Sequence, residues 1–270
     1  MMTTESPVPD SRVALITGGT RGIGRAIVAE LARRRWVVAA CFLRNEEHAA
    51  ALESELNAAG SRLLLIRANV SDPAAAANLV RRVEEEYGRI DALINCIGSY
   101  HRTHLMQESV EGWHAMFDSN LHPVFYLSRA AASGMMQRRW GRIVNFGLVN
   151  ADQLVGQPFV TAHYIAKIGV IALTRSLAKW LAPYGITANT ISPGFIDTGS
   201  VPQEEVAGIV PEYRQEGIPD GEGKIVITKC QDRSGIDLQD STQAVDCSIA
   251  DLHGTSEVSS AVSGEQRRTS

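Results

Sequence analysis

Short apolar runs alternate with amphipathic stretches between residues 12 and 191 of the chain. The apolar runs have the length of β-strands and cover residues 12–16, 36–43, 63–66, 90–97, 142–146 and 187–191. They are apolar almost throughout, rather than at every second position. This pattern indicates strands whose two faces are both covered by other parts of the fold.

Between these runs, apolar side chains recur every three or four residues, as Ile27, Val28 and Leu31 do, which predicts helices. The predicted helices cover residues 24–35, 46–59, 113–137 and 162–181, and one more opens at Ser71-Asp72-Pro73. Gly60 stands at a natural helix end. Strands that alternate with helices predict an α/β fold with a doubly wound parallel sheet in three α/β/α layers.

The pattern stops near residue 219. No Phe, Trp or Tyr follows Tyr213, and residues 220–270 contain eight serines without apolar periodicity. Within this stretch only residues 224–229 resemble a strand. We therefore expect a flexible N-terminus over 1–10, a single domain over 11–219 and an atypical, poorly ordered tail over 220–270.

Composition narrows the class of protein. The net charge of −4 disfavours a nucleic-acid binder, which would carry a basic face. Neither the four cysteines nor His101, His104 and His114 have metal-ligand spacing, so no metal site is expected. No apolar run is long enough to span a membrane, and the first dozen residues hold no signal-peptide pattern. These observations predict a cytoplasmic chain with no nucleic-acid or membrane partner.

A glycine-rich turn follows the first predicted strand and reads Thr-Gly-Gly-Thr-Arg-Gly-Ile-Gly over residues 17–24. Glycines let the backbone approach a pyrophosphate closely, and the N-terminus of the next helix offers free N–H groups. The turn lies between a strand and a helix, as dinucleotide binding requires. The candidate cofactor-binding residues here are Thr17, Gly18, Thr20, Arg21, Gly22, Ile23 and Gly24.

Together with Asn95-Cys96-Ile97-Gly98 and Ser192-Pro193-Gly194, this turn resembles the short-chain dehydrogenase/reductase family over residues 11–219. The most similar members are those like 3-oxoacyl-carrier-protein reductases. The resemblance implies a Rossmann-type fold and reduction of a small-molecule ketone, such as a 3-oxoacyl thioester, with a nicotinamide cofactor. It also implies a homo-oligomer, usually a tetramer. Residues 220–270, however, lack the glycine-rich ending that supports tetramer contacts in the family.

The resemblance also assigns roles to individual residues. Asn120 matches the asparagine that organises a proton-relay water, and Lys167 matches the lysine that binds the nicotinamide ribose. The other matches lie around the cofactor, namely Asn69 and Val70 at the adenine, Asn95 and Gly98 near the adenosine side, and Pro193, Gly194, Ile196 and Thr198 at the nicotinamide.

The choice of nicotinamide cofactor depends on the end of the second strand. NAD-selective folds place a carboxylate there for the ribose 2′-hydroxyl. Here the sequence reads Cys-Phe-Leu-Arg-Asn over residues 41–45, and the first carboxylate is Glu46. Arg44 and Arg21 can both reach a 2′-phosphate, for which a guanidinium is well suited. The sequence therefore predicts NADP(H).

The catalytic segment departs from the family pattern. The family tyrosine precedes the lysine by four residues, but here His163 occupies that position and Tyr164 is three residues before Lys167. Positions three and four residues apart are both neighbours on a helix. Three interpretations remain: Tyr164 is the acid after a local adjustment of the helix, His163 donates instead, or neither works.

The family serine is also replaced, since Leu148 stands near its position. Asn145, Asn150 or Thr161 are alternative polar groups, although each also suits a structural role. Because losing one such donor typically costs about 10²–10³ in turnover, a catalytically impaired dinucleotide-binding sensor or partner subunit stays open beside ketone reduction. Within the same class of reductases, a pteridine reductase is the alternative.

Overall fold

The computed structural model describes residues 11–149, 151–193 and 225–226. Its strands are β1 Val13–Thr17, β2 Val37–Phe42, β3 Leu63–Arg67, β4 Ala92–Asn95, β5 Gly141–Phe146, β6 Ile186–Pro193 and β7 Ile225–Val226. Its α-helices are α1 Gly22–Arg33, α2 Glu46–Ala58, α3 Pro73–Tyr87, α4 Val110–Asn120, α5 His122–Arg138 and α6 Thr161–Leu181. Short 3₁₀ turns cover Leu105–Gln107, Ala151–Gln153 and Ala182–Tyr184.

Within the described residues the strands form one sheet in the order β3-β2-β1-β4-β5-β6-β7. All pairings among β1 to β6 are parallel, and the order reverses between β1 and β4. The predicted doubly wound parallel sheet is confirmed. In such sheets ligands bind beyond the carboxyl ends of the strands, near the point where the order reverses.

Each face of the sheet has its own apolar core. Leu15, Leu93 and Ile143 belong to one core with side chains from α3, α5 and α6. Ile16 and Ile94 belong to the other, with side chains from α1 and α2. Full burial of each such side chain contributes roughly 1.5–3 kcal/mol, so helices on both faces are what stabilises the sheet. The three predicted layers follow from this division.

The helical stretch expected over residues 113–137 is divided into two helices. Helix α4 begins at Val110, where the Ser109 side chain accepts a hydrogen bond from Gly112 N (2.9 Å), and it ends at Asn120. Helix α5 then starts at His122 with Pro123 in its first turn. Proline lacks an N–H and favours the start of a helix, so a new helix begins here.

The sixth strand has a second neighbour at its carboxyl end. Ile225–Val226 pairs antiparallel with β6, opposite Pro193 and Ser192. These two residues belong to the run over 224–229 that was expected to be a strand. The rest of the predicted tail, the boundary at 219 and the N-terminus over 1–10 lie outside the described residues.

The described residues contain neither a candidate membrane-spanning helix nor a candidate metal cluster. No helix among them is long and apolar enough to cross a membrane. No group of three or more His, Cys, Asp and Glu side chains in that part of the chain could hold a metal ion.

Candidate active site

The glycine-rich turn packs its backbone tightly against the end of β4. Gly18 has a φ of +67°, and a Cβ added there would meet the carbonyl oxygen of Cys96. A Cβ added to Gly24 would meet the carbonyl oxygen of Gly18. The residue that precedes α1, Arg21, makes no side-chain cap. The turn therefore brings uncapped N–H groups of a helix N-terminus to the carboxyl edge of the sheet, an arrangement that suits a pyrophosphate.

The end of β2 lies beside this turn, since Gly19 N donates to Cys41 O (3.2 Å). Arg21 and Arg44 are both exposed here. Glu46, the first carboxylate after β2, is paired with Arg67 (2.6 Å). The cationic groups at this corner are therefore accessible, while its nearest carboxylate already has a partner.

A buried polar chain connects β4, β5 and α6. Asn95 Nδ2 donates to Asn145 Oδ1 (2.8 Å), and Asn145 Nδ2 donates to Thr174 Oγ1 (2.9 Å). Asn145 is completely buried, and its amide is bonded on both sides. Asn145 therefore links β5 to α6. The Oδ1 atom of Asn95 is also buried, but it has no hydrogen-bond partner among the described residues.

The loop after β3 carries the two candidate adenine contacts. Val70 is buried, and Asn69 Oδ1 accepts a hydrogen bond from Ser71 N (3.3 Å). Both residues therefore lie at the same carboxyl edge of the sheet as the glycine-rich turn.

Lys167 is at the centre of the site. Its buried Nζ donates to Phe146 O (3.0 Å), at the end of β5. Burial lowers the pKa of this ammonium to about 8. The nearby Cys96 thiol supplies no counter-charge at pH 7, because burial raises its pKa to about 12. Lys167 is thus a desolvated cation whose burial needs a polar or anionic partner to offset its cost.

Gly98 and Asn120 complete this centre. A Cβ added to Gly98, whose φ is +149°, would meet Asn120 Oδ1 and would lie 3.4 Å from Lys167 Nζ. Asn120 Nδ2 donates to Ser99 O (2.9 Å) and Met116 O (3.0 Å). Its buried Oδ1 has no partner in the described part of the chain. An unpaired acceptor beside a buried ammonium is suited to a hydroxyl or a water molecule between them.

His163 lies one helical turn before Lys167, and its ring is nearly buried. Its Nδ1 is 3.2 Å from Ser99 O, and Tyr100 contacts the ring edge-on with centroids 5.3 Å apart. Burial and, to a smaller extent, the nearby Lys167 lower the pKa of His163 to about 3, although the hydrogen bond with Ser99 O acts in the opposite direction. Because a carbonyl can only accept, we assign the proton to Nδ1, which leaves a lone pair on Nε2 of the neutral ring.

Tyr164 faces a different set of neighbours. Its hydroxyl oxygen accepts a hydrogen bond from Val155 N (2.9 Å). Its buried ring packs with Ala151 and Ile171 in a small apolar cluster that Leu148 also contacts. Adjacent helical positions point about 100° apart, so the one-residue offset from His163 changes which side of α6 the side chain occupies.

We expect Tyr164→Phe to lower kcat less than tenfold. It should also lower the free energy of unfolding by about 1 kcal/mol, because Val155 N loses its acceptor. Tyr184→Phe, beyond the opposite end of α6, is the matched control. Urea denaturation and steady-state kinetics measure both effects. A loss of 10²-fold or more in Tyr164→Phe alone would instead identify this hydroxyl as the acid.

The position of the family serine is apolar in this structure, since Leu148 packs beside Tyr164. Of the polar alternatives, Thr161 Oγ1 donates to Gln157 O (2.7 Å) and Asn145 belongs to the buried polar chain. Asn150 lies outside the described residues, as do Gly194, Ile196 and Thr198. Pro193 is described as the last residue of β6.

Two segments that meet above the site were not predicted. Thr103 N donates to Phe159 O (2.8 Å) and Leu105 N to Pro158 O (2.7 Å), which joins the loop after β4 to the loop before α6. In the same loop, His101 Nε2 lies 2.7 Å from Glu108 Oε2, within hydrogen-bond distance. The only sequence signal was the group of histidines after β4, which lack metal-ligand spacing.

A doubly wound parallel sheet with a glycine-rich turn at its carboxyl edge defines a Rossmann-type fold. The family model described as short chain dehydrogenase matches residues 12–206. The chain therefore belongs to the short-chain dehydrogenase family, as its motifs predict, and is an oxidoreductase.

The similar curated proteins include two named 3-oxoacyl-[acyl-carrier-protein] reductase FabG. The protein from Haemophilus influenzae is 38% identical over 202 residues, which cover 74% of this chain and 81% of that protein. The Escherichia coli protein is 36% identical over 206 residues, which cover 75% and 82%. The chain is thus similar to these reductases across most of their length.

Solved structures agree with this assignment. The crystal structure of gox2181 superposes with a TM-score of 0.69 at 30% identity, covering 77% of this chain and 79% of that one. A putative short-chain alcohol dehydrogenase from Sinorhizobium meliloti 1021 gives a TM-score of 0.71 at 28% identity, covering 79% and 83%. The fold and the family are therefore supported independently of the motifs.

Proposed function

We propose that the chain reduces the carbonyl group of a small-molecule ketone with NADP(H), and that 3-oxoacyl thioesters are the first substrates to test. The observation that carries this proposal is the centre formed by Lys167, Asn120 and Gly98 beside the glycine-rich turn. The named activity of the FabG relatives supports the substrate class.

The residues present fit the cofactor, because the turn offers a close backbone approach and the centre offers the buried Asn95 Oδ1 and Asn120 Oδ1. In the proposal, residues 17–24 hold the pyrophosphate and Asn69 and Val70 contact the adenine. The nicotinamide half is held by Asn95, Gly98, Lys167, Pro193, Gly194, Ile196 and Thr198. When bound, the reduced nicotinamide supplies a hydride to the substrate carbon.

The roles of Lys167 and Asn120 follow from their charges. The ammonium of Lys167 stabilises negative charge that develops on the substrate oxygen and binds hydroxyl groups near it. Asn120 Oδ1, beside it, accepts a hydrogen bond from a water or hydroxyl that relays protons. The desolvated surroundings strengthen both interactions.

The sequence left open whether Tyr164, His163 or neither residue donates the proton to the carbonyl oxygen. Protonated His163 is not available at neutral pH, because its pKa is lowered to about 3. The oxygen of the Tyr164 hydroxyl already accepts a hydrogen bond from Val155 N. A hydroxyl that accepts one hydrogen bond can still donate its proton, so the argument against Tyr164 is its position: its ring packs with Ala151 and Ile171, turned about 100° from His163 on α6.

We expect the parent protein to bind NADPH at least tenfold more tightly than NADH. Arg44→Ala should weaken NADPH binding by about 10–100-fold, because a hydrogen bond to a charged group contributes roughly 1.5–3 kcal/mol. NADH binding should change less than twofold. Arg82→Ala, an exposed arginine on α3, is the matched control. Fluorescence titration with both cofactors measures the effect, and equal affinities in the parent would refute the preference.

A further inference from the structure

Helix α6 is hydrogen-bonded to the end of β5 at two points that lie on one face of the helix. Lys167 Nζ donates to Phe146 O (3.0 Å), and Thr174 Oγ1 accepts from Asn145 Nδ2 (2.9 Å), on the preceding strand residue. Positions 167 and 174 are close to two helical turns apart, so both side chains point to the same side of α6. The bond between Asn145 and Thr174 therefore holds the face of α6 that carries the buried ammonium.

The helix backbone sets the direction of each hydrogen bond in the buried polar chain of Thr174, Asn145 and Asn95. The Thr174 hydroxyl donates its single proton to Val170 O (2.7 Å), so it can only accept from Asn145. Asn145 then presents its Oδ1 to the other side, where it accepts from Asn95 Nδ2 (2.8 Å). One threonine hydroxyl thus fixes the orientation of two asparagine amides on adjacent strands.

The same polar chain connects both strands whose ends form the centre of the site. Asn95 is the last residue of β4, and a Cβ added to Gly98, a little further along, would lie 3.4 Å from Lys167 Nζ. Asn95, Asn145 and Thr174 are each at most 3% exposed. Because water does not replace a hydrogen bond that is lost at such depth, removing one group should shift the elements that the chain joins.

We propose that Asn145 and Thr174 are positioning residues for Lys167, because their hydrogen bond fixes α6 against β5 and so holds the ammonium beside Gly98. The inference rests on the proposed function, in which this ammonium stabilises charge on the substrate oxygen. Both side chains act through the position of the lysine, without touching the substrate. A displacement of about 1 Å commonly costs 10²-fold in rate, so this support matters for turnover.

Thr174→Val tests this role directly, because valine keeps the shape of threonine without the hydroxyl. Asn145 Nδ2 then loses its acceptor, and Lys167 should move from its place at Phe146 O. We expect kcat for ketone reduction to fall by about tenfold or more. Asn145→Leu removes both side-chain hydrogen bonds of the asparagine and should lower kcat further. Thr174→Ser keeps the hydroxyl and is the matched control, with a kcat within about twofold of the parent's.

A titration of Lys167 without any cofactor separates positioning from a merely stabilising role. The chain has four lysines, so lysine labelled with ¹³C at Cε gives few resonances, and Lys167→Met assigns the one of interest. Burial holds the pKa of Lys167 at about 8 in the parent. The titratable groups that interact with it in the described part of the chain, Cys96 and His163, stay neutral between pH 7 and pH 10, because their pKa values are about 12 and about 3.

We expect Thr174→Val and Asn145→Leu to raise the pKa of Lys167 towards its ordinary 10.5, since a displaced ammonium is better solvated. Thr174→Ser should leave the pKa unchanged. Asn189→Leu is the control for losing a buried asparagine from the sheet. Asn189 lies on β6 opposite Val144, so its side chain is on the face of the sheet away from Asn145. This variant should be less stable in urea and should keep both the parent's kcat and the parent's pKa of Lys167.

The pKa of Lys167 in folded Thr174→Val decides the inference. A value equal to the parent's would overturn it, even if kcat were lower, and Thr174→Val alone decides if Asn145→Leu does not fold. A raised pKa with a lower kcat, both restored in Thr174→Ser, would support it. A parent that turns over no ketone would reject the proposed function, and the pKa comparison would still decide the positioning.

Discussion

Lys167→Met is expected to lower kcat for carbonyl reduction by about 10²–10³-fold, the usual cost of losing one group that stabilises transition-state charge. The ammonium is buried beside Asn120 and Gly98, and its one described hydrogen bond is to Phe146 O. The methionine side chain has a similar length and would fill the space that the apolar part of the lysine side chain occupies. The loss should therefore come from the missing charge rather than from a cavity.

The same substitution should leave the free protein at least as stable at pH 7. Burial lowers the folded-state pKa of Lys167 to about 8 from its ordinary 10.5, so the charged form is disfavoured in the folded state. Between these two values the unfolded chain binds more protons, and the parent's stability should rise with pH. The corresponding free energy is at most about 3 kcal/mol, and Lys167→Met should recover part of it.

Urea denaturation at pH 7 and pH 10, beside steady-state kinetics, tests both parts of this prediction. Lys179→Met, near the other end of α6, is the control for removing a lysine from the helix. We expect Lys167→Met to have the roughly 10²–10³-fold lower kcat with equal or higher stability, and to gain no stability between the two pH values. A variant that keeps a tenth of the parent's kcat would contradict the role given to Lys167.

Gly98→Ala should have the second large effect. Its φ of +149° is unfavourable for any residue with a Cβ, and that Cβ would meet Asn120 Oδ1 and crowd Lys167 Nζ. Strain and displacement together should cost about 2–4 kcal/mol of stability. Turnover should fall by 10²-fold or more, because positions shifted by about 1 Å commonly cost that much.

Gly60→Ala provides the matched control. Gly60 also has a positive φ, of +69°, but a Cβ added there would meet nothing within 4 Å. It should therefore lose only about 1–2 kcal/mol from strain and keep full activity. Equal kcat values in Gly98→Ala and Gly60→Ala would show that the centre tolerates the added atom, contrary to the account.

Much of the fold follows from local patterns in the sequence. The apolar strands, the glycine-rich turn and the cap at Asp72, whose side chain accepts from Ala75 N (2.6 Å), are set by neighbours in the chain. The helical character of residues 113–137 also follows from the sequence, and Pro123 marks where the second helix of this stretch begins.

The candidate site was less predictable, because its geometry depends on distant segments. Helical spacing places His163 and Tyr164 about 100° apart, but it does not identify their partners. The partners are Ser99 O for His163 and Val155 N for Tyr164. Both belong to loops that meet α6 only in the folded chain. The pair of His101 and Glu108 likewise needs the loop to turn before α4. The sequence therefore identified Lys167 and the glycine-rich turn, but it did not predict the contacts of His163 and Tyr164.

In the proposed function, this short-chain dehydrogenase transfers a hydride from NADPH to a ketone. The most direct test is NADPH oxidation by the full chain across a panel of 3-oxoacyl thioesters and simple ketones, followed at 340 nm with NADPH binding measured in parallel. We expect tight NADPH binding and a saturable, ketone-dependent rate that Lys167→Met lowers by about 10²–10³-fold. Tight NADPH binding with no ketone-dependent rate would contradict it and would indicate a dinucleotide-binding protein without this activity.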